Sequence, residues 1–557
     1  MSHPSRREVL TGASALPLAS QVAEPFWKIT PELVARHDNA VDQYLKLQTV
    51  NPASPWHGGI PDAHRLHNPG SAAGAVHVYA VALLQPVSRH RGSTLLMERL
   101  RLALDFVRRK SSPEGNLSML ITNFNSPPDT AFAMYSLAGA ASLARRYANR
   151  ELEGMLEPVV KRAAEGVARG GVHTPNHRWV NCAALAQAQA LYPYPLYMRR
   201  IDEWLAEGVD IDGDGQYSER STTVYNGVVD RALTVAAIKL NRPELLGPVR
   251  RNLDSMLYLL HPDYEVVTEI SRRQDQFERG GMQGYWLALR YLALKDGNGM
   301  VETLARRQAA SLGELMEFPD LMEAGPEPAP VPQDYEKQFP VVGIARIRRG
   351  LTSATMVMGG SSRFFGVRRG QAIVNSVRFA SAFFGKAQFV PERAAKRGGN
   401  YVFEQSLDAG YYQPFGDGRK QPVGVDEWYQ IRNQRRRTEV CRLRQSATLT
   451  ELRNGFTVRI EVSGTDDVPV AVEINLGGKG ELQGGEELKD VKDGWLLLSG
   501  QAVWRVGGDA IRIGPGRADH TYTQVRGAES KLAGPSLYLT GYTPFDHTVR
   551  LEWGTGV

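Results

Sequence analysis

One proline-rich segment divides this chain into two kinds of sequence, and that division constrains the fold more than any other feature. Before Glu323-Ala-Gly-Pro-Glu-Pro-Ala-Pro-Val-Pro332, apolar residues recur at threes and fours. After it they fall into short β-branched or aromatic runs, many of them separated by glycine-rich turns. Alternating prolines cannot continue a helix and read as an extended linker. The run Leu96-Met97-Leu100-Leu102-Leu104-Phe106-Val107 shows the helical pattern, with Arg99, Arg101, Arg108 and Arg109 mostly on the other face. Similar runs cover 130–147, 152–169, 180–191, 198–207, 222–240, 244–260, 282–294 and 301–317. Short polar loops join them, so neighbours pack as antiparallel pairs. About five such pairs with no strands between them predict an α/α toroid around a central cleft. An α-solenoid is the alternative, but no fixed-period repeat supports it.

The expected fold class is therefore α+β multidomain: an N-terminal incomplete (α/α) toroid followed by a C-terminal antiparallel β-sandwich. The boundaries read 25–320 for the toroid, 321–338 for the linker and 339–557 for the sandwich. A length of 557 residues exceeds one ordinary core, and 42% hydrophobic with 23% charged residues is globular composition. No apolar run approaches the roughly 18–20 residues of a membrane span. Residues 1–24 contain Arg6-Arg7 ahead of an uncharged, mildly apolar stretch, as in a twin-arginine export signal, which predicts a periplasmic or secreted protein. Cys182 and Cys441 form neither a disulfide framework nor a zinc site and read as buried free thiols.

Four segments of the helical half carry polar and aromatic residues that packing does not require: 122–130, 173–179, 210–226 and 261–275. In a toroid the loops and helix starts at one end ring the cleft, so these segments can converge. Asn, His and Tyr with arginines nearby suit β-elimination beside a uronate carboxylate. The C5 proton is removable only when that carboxylate is neutralised or hydrogen-bonded, a task for Asn, His or Arg. Tyr or His can then take the proton and protonate the leaving oxygen.

Asn176-His177 at a helix start, followed some tens of residues later by Gly215-Gln-Tyr-Ser-Glu219 and Tyr225, resembles the heparinase II/III-like polysaccharide lyases, which include oligoalginate lyases. The loop Asn123-Phe-Asn-Ser-Pro-Pro-Asp129-Thr and the order of toroid and sandwich are similar to that group as well. The resemblance implies a lyase acting on an acidic polysaccharide or oligosaccharide. It assigns Asn176 to carboxylate neutralisation, His177 to assistance or the base, and Tyr225 to the acid or to both proton transfers. His261 is the candidate for a further catalytic histidine, and Tyr411 or Tyr412 for a second-domain tyrosine. Asn123, Asn125, Asp129, Arg178, Trp179, Tyr217, Glu219, Arg231 and Arg272 complete the expected substrate contacts, with Arg273 beside them.

Other chemistries have less in the sequence. Asp210-x-Asp212-x-Asp214-Gly215 looks like the first half of a calcium loop, but position 12 is Ser221; no cofactor is required by this reading, and calcium is an option at these three residues only. A net charge of +6 and the short run Arg435-Arg436-Arg437 do not make a nucleic-acid surface. Oligomeric state is not readable. Two rivals to the lyase remain: a glycoside hydrolase on the same scaffold, using pairs among Asp129, Glu219 and Asp263, and a non-catalytic protein that binds acidic glycans.

Overall fold

The computed structural model describes residues 26–416, 418 and 423–554. The segment expected to direct export lies outside them. Among the described residues, twelve α-helices precede the linker: α1 (Pro31–Leu47), α2 (Pro69–Leu84), α3 (Thr94–Lys110), α4 (Pro127–Arg146), α5 (Arg150–Arg169), α6 (Asn176–Leu191), α7 (Pro195–Ala206), α8 (Tyr225–Leu240), α9 (Leu246–Met256), α10 (Trp286–Asp296), α11 (Gly299–Arg306) and α12 (Leu312–Glu317). They form five hairpins, α2/α3, α4/α5, α6/α7, α8/α9 and α10/α11, and the even-numbered helices from α2 to α10 pack on one another as an inner row. This is the α/α toroid.

Composition decides which helix goes inside. Helix α2 buries Ala72, Ala73, Ala75, Val76 and all of Tyr79–Leu84, so it is apolar nearly all round and needs neighbours on every side. Helix α5 buries only a stripe, including Leu152, Leu156, Val160 and Val167, and leaves its charged face to solvent. Polar caps set several of the starts. Ser126 accepts from Asp129 N at the head of α4, where Pro127 and Pro128 occupy the positions that need no N–H partner.

Helix α12 returns into the ring and plugs it. Its Glu314 pairs with Arg231 of α8, and Glu317 Oε1 lies 2.7 Å from His77 Nε2 of α2. A Cβ on Gly139 of α4 would come to 2.5 Å from the same Glu317 oxygen, so any larger residue there would displace the Glu317 carboxylate. Contacts of Gln85 with Met316 and of Lys239 with Phe318 place the plug toward the C-terminal ends of α2 and α8. The opposite end of the ring, where the inner helices begin, stays open.

Three local features differ from the sequence expectation. The 301–317 run is two helices, because a Ser311–Glu314 capping box starts a new one at Leu312. The Asn123–Ser126 stretch is not a plain loop but a strand paired with Leu117–Met119. The strands of the C-terminal half begin at Asp334, inside the expected linker, since Asp334–Phe339 pairs in register with Ile344–Arg349.

The C-terminal half is a nine-stranded sheet facing an eight-stranded sheet across an apolar core that includes Phe364, Phe379, Phe403 and Trp504. Pairing between the strands is antiparallel except where Gly494–Leu496 runs parallel to part of Ser536–Tyr542, and Ala518 adds an isolated parallel bridge to Thr540. The nine-stranded sheet docks on the toroid. Asp214 Oδ2 accepts from Val341 N and Val342 N at 2.7 and 2.8 Å, Tyr335 OH donates to Tyr258 O, and Arg368 pairs with Glu265 at 2.6 Å. Cys182 is buried as expected, whereas Cys441 on the eight-stranded sheet is only half-buried. No helix among the described residues is long and apolar enough to cross a membrane.

Candidate active site

The open end of the toroid is a cleft of about 1540 Å³. Three sequence-distant segments supply its polar wall: the starts of α4, α6 and α8, joined by the loop 271–275. Asp275 fixes that loop. Its carboxylate accepts from Ser221 Oγ, Thr223 N, Thr223 Oγ1 and Ser271 Oγ, all within 2.9–3.1 Å, tying the loop to the turn that precedes α8. Arg273 is thereby held over Tyr225, its guanidinium carbon 4.6 Å from the ring centroid.

Below this pair lies Glu219. Its Oε2 receives Arg273 Nη1 at 2.6 Å, and its Oε1 receives Asn176 N and Asn176 Nδ2 at 3.0 and 2.6 Å. One buried carboxylate thus orients both the first residue of α6 and the arginine of the cleft. Asn176 Oδ1 is buried without a partner. His177, the next residue, lines the cleft with its ring edge-on to His173 at 4.7 Å. Burial, then the neighbouring His173, pushes the His177 imidazole down to about 4, so it is neutral near pH 7. Tyr225 OH accepts a single long hydrogen bond, from Gln274 Nε2 at 3.3 Å. Asn123 and Asp129 face the same space, joined by Asn123 Nδ2 donating to Asp129 Oδ2 at 2.9 Å.

The structure thus brings Asn123, Asp129, Asn176, His177, Tyr225 and Glu219 together and disperses the other expected residues. Asn125 is exposed at a left-handed φ of 47° on the small hairpin. Trp179 is fully buried, with its indole N–H on Asp210, and Arg178 pairs with Glu207 and Asp210 on the same outward side of α6. Tyr217, expected to touch substrate, is a core residue that donates to buried Asp230 at 2.7 Å. Arg231 belongs to the plug through Glu314. Arg272 is exposed outside the cleft, and its neighbour Arg273 takes the inward position. Tyr411 and Tyr412 end a strand of the eight-stranded sheet, where they meet Phe384 and Trp428, and neither lines the cleft. His261 is buried at the junction with the nine-stranded sheet, bonded to Ser353 Oγ at 3.0 Å.

The acidic loop does not converge on a cation position. Asp210 serves Trp179, Arg178 and Ser218; Asp212 accepts from Asp214 N and Gln216 N; Asp214 faces Val341 and Val342. No cluster of three or more His, Cys, Asp or Glu with metal-binding geometry occurs among the described residues. Of the three carboxylates weighed for hydrolysis, only Asp129 lines the cleft, since Glu219 sits beneath Asn176 and Asp263 lies near Arg279 and Arg368.

Sequence reasoning missed one rim of the cleft, the 60–71 segment with Asp62, Arg65, His67 and Asn68. Its organiser, Asp62, accepts from His64 N and Leu66 N in an Asx-type turn. An Asp followed by polar residues ahead of Pro69 was the available signal.

No protein-family model and no curated sequence matches the chain. Solved structures do. A chondroitin AC lyase of Streptomyces coelicolor superposes with a TM-score of 0.56 at 14% identity, over 95% of this chain and 80% of its own. A Paenibacillus xanthan lyase gives 0.56 at 11%, over 95% and 58%. A heparan sulfate lyase of Pedobacter heparinus gives 0.50 at 10%, over 97% and 85%. At these identities the likeness is one of fold, and the fold this chain shares is that of polysaccharide lyases built from a helical toroid and a sheet domain.

Proposed function

We propose that this chain is a polysaccharide lyase that breaks a uronic-acid-containing glycan by β-elimination and leaves a 4,5-unsaturated uronate end. The observation that carries the reading is the convergence of His177, Tyr225 and Arg273 on one wall of a cleft large enough for several sugars, with Asn176 buried directly behind them on the carboxylate that also holds Arg273. Arg273 commits one N–H to Glu219 and retains others to grip the uronate carboxylate, with Asn176 assisting from the helix start. Neutralising that carboxylate makes loss of the C5 proton tolerable. With neutral His177 as base, the imidazole takes the C5 proton and Tyr225 gives its hydroxyl proton to O4. With Tyr225 in both roles, its phenolate takes the C5 proton and returns it to O4. Either way the C4–O4 bond breaks and a C4=C5 double bond remains. No water is consumed, and side-chain proton transfer suffices. The fold shared with lyases of chondroitin, xanthan and heparan sulfate supports the class. The paired arginines near the N-terminus support export to where such polymers are met.

Ultraviolet absorbance with a panel of alginate, glucuronan, heparan, hyaluronan, chondroitin, ulvan, pectin and gellan tests the reading. A rise on any of them establishes elimination and names the substrate class. New reducing ends without a rise would instead mark a hydrolase. Binding with neither would mark a non-catalytic glycan-binding protein.

A further inference from the structure

A second cavity, of about 390 Å³, lies between the toroid and the nine-stranded sheet and shares no lining residue with the cleft. Its surroundings hold three arginines, Arg346, Arg348 and Arg363, that make no ion pair among the described residues. Arg346 and Arg348, on the strand Ile344–Arg349, are 0% and 6% exposed. Their guanidinium groups donate only to neutral acceptors: the carbonyls of Leu260, Gly350 and Ala354 and the hydroxyls of Ser353 and Thr355. Arg346 Nε has no acceptor at all. Arg363 lines the cavity half-buried, stacked 4.1 Å from the Phe277 ring centroid, and is in ion-pair contact with no carboxylate among the described residues.

None of the nearby carboxylates is in ion-pair contact with Arg346, Arg348 or Arg363. Glu265 is shared by Arg368 and Arg279, with Asp263 close to both, while Glu269 and Glu278 lie on the cavity wall. His261 also lines the cavity. Its Nδ1 is engaged with Ser353 Oγ, and its Nε2 is buried with no partner. Burial first, then Arg368, Arg346, Arg348 and Arg279, hold this imidazole well below its ordinary range. Buried guanidinium groups without a counter-charge are costly, and an orphaned imidazole nitrogen beside them adds an unmet polar group.

We propose that this interdomain cavity is an oxyanion-binding site that takes a sulfate or carboxylate group between Arg363 and His261. An anion there brings negative charge near Arg346 and Arg348, which stand behind Ser353 and Thr355 of the lining, and His261 Nε2, as the N–H of the neutral tautomer whose Nδ1 accepts from Ser353 Oγ, donates to it. The same oxyanion chemistry is offered by a group carried on a glycan and by a free ion. The site takes no part in elimination and does not rest on the lyase reading.

Isothermal titration of the full-length protein with sodium sulfate, in chloride at matched ionic strength, tests it. Saturable binding at one site per chain is expected, weakened about tenfold or more in both Arg363→Met and His261→Gln and retained in Arg273→Ala, which alters only the cleft. Circular dichroism confirms that each variant is folded. Absence of saturable binding, or binding that both cavity variants leave unchanged, overturns the proposal, as does loss of binding in Arg273→Ala alone. With a cleaved glycan in hand, a KM raised in Arg363→Met at unchanged kcat identifies a glycan-borne group. An unchanged KM with sulfate binding lost identifies a free anion.

Discussion

Asn176 Nδ2 donates to Glu219 Oε1 at 2.6 Å across 43 residues of sequence, and the other oxygen of the same carboxylate holds Arg273. Glu219 is therefore a positioning residue for two groups of the cleft. In Glu219→Gln one amide oxygen can still accept from Asn176, but the amide nitrogen then faces the Arg273 guanidinium, donor against donor. The expected result is a fall of about tenfold or more in kcat/KM, read from the rate of unsaturated product. Restoration in Glu219→Asp of part of the activity would separate this role from a purely structural one.

Tyr225→Phe removes an oxygen whose only hydrogen bond is the 3.3 Å contact from Gln274. Stability should barely change, while kcat falls by roughly 10² or more. Asn176→Ala should lose kcat on the same scale. Near wild-type turnover in both variants, with unchanged thermal melting, would move the active site elsewhere.

His177 gives a stability signature with a defined sign. Its imidazole falls from an ordinary 6.5 to about 4 on folding, so between those values the unfolded chain binds more protons than the folded one. The stabilisation from keeping it neutral is present above about 6.5 and is lost as pH falls toward about 4. A series of Tm measurements across that window should show a smaller acid-side drop for His177→Gln than for the wild type. Equal slopes would mean that His177 is not held neutral.

Tyr217 and Arg231 should behave as structural residues. Tyr217→Phe strands buried Asp230 without its donor at 2.7 Å, and a loss of about 1–3 kcal/mol is expected in denaturant unfolding. Arg231→Met leaves Glu314 of the plug unpaired and should lower Tm likewise. In both, KM for the glycan stays near wild type, and a raised KM with unchanged stability would return them to the substrate site.

The halves of the fold were legible because period 3.6 and period 2 leave different marks in sequence, and the proline run divided them. Which side of α6 meets the cleft was not, since α6 buries Asn176, His177, Trp179, Val180 and Asn181 and offers no single apolar face to read. That is why Arg178 and Trp179, one and two residues beyond His177, were grouped with it although they point away from the cleft. Neighbours 272 and 273 are equivalent by composition; only the Asp275 anchor, a tertiary contact, turns one of them inward. Residue types identified the segments that meet, whereas the direction of each side chain came from packing.

Four inner helices, α2, α4, α6 and α8, begin at the cleft, and each helix start carries roughly half a positive charge in its unpaired backbone N–H groups. The charged side chains around the same space cancel, Arg65 and Arg273 against Asp62 and Asp129. The electrostatic preference of the cleft is thus built into the backbone, so the chain's overall charge balance says little about it. Glu219, bound to the first amide of α6, is the chain's own sample of the group such a floor is suited to hold.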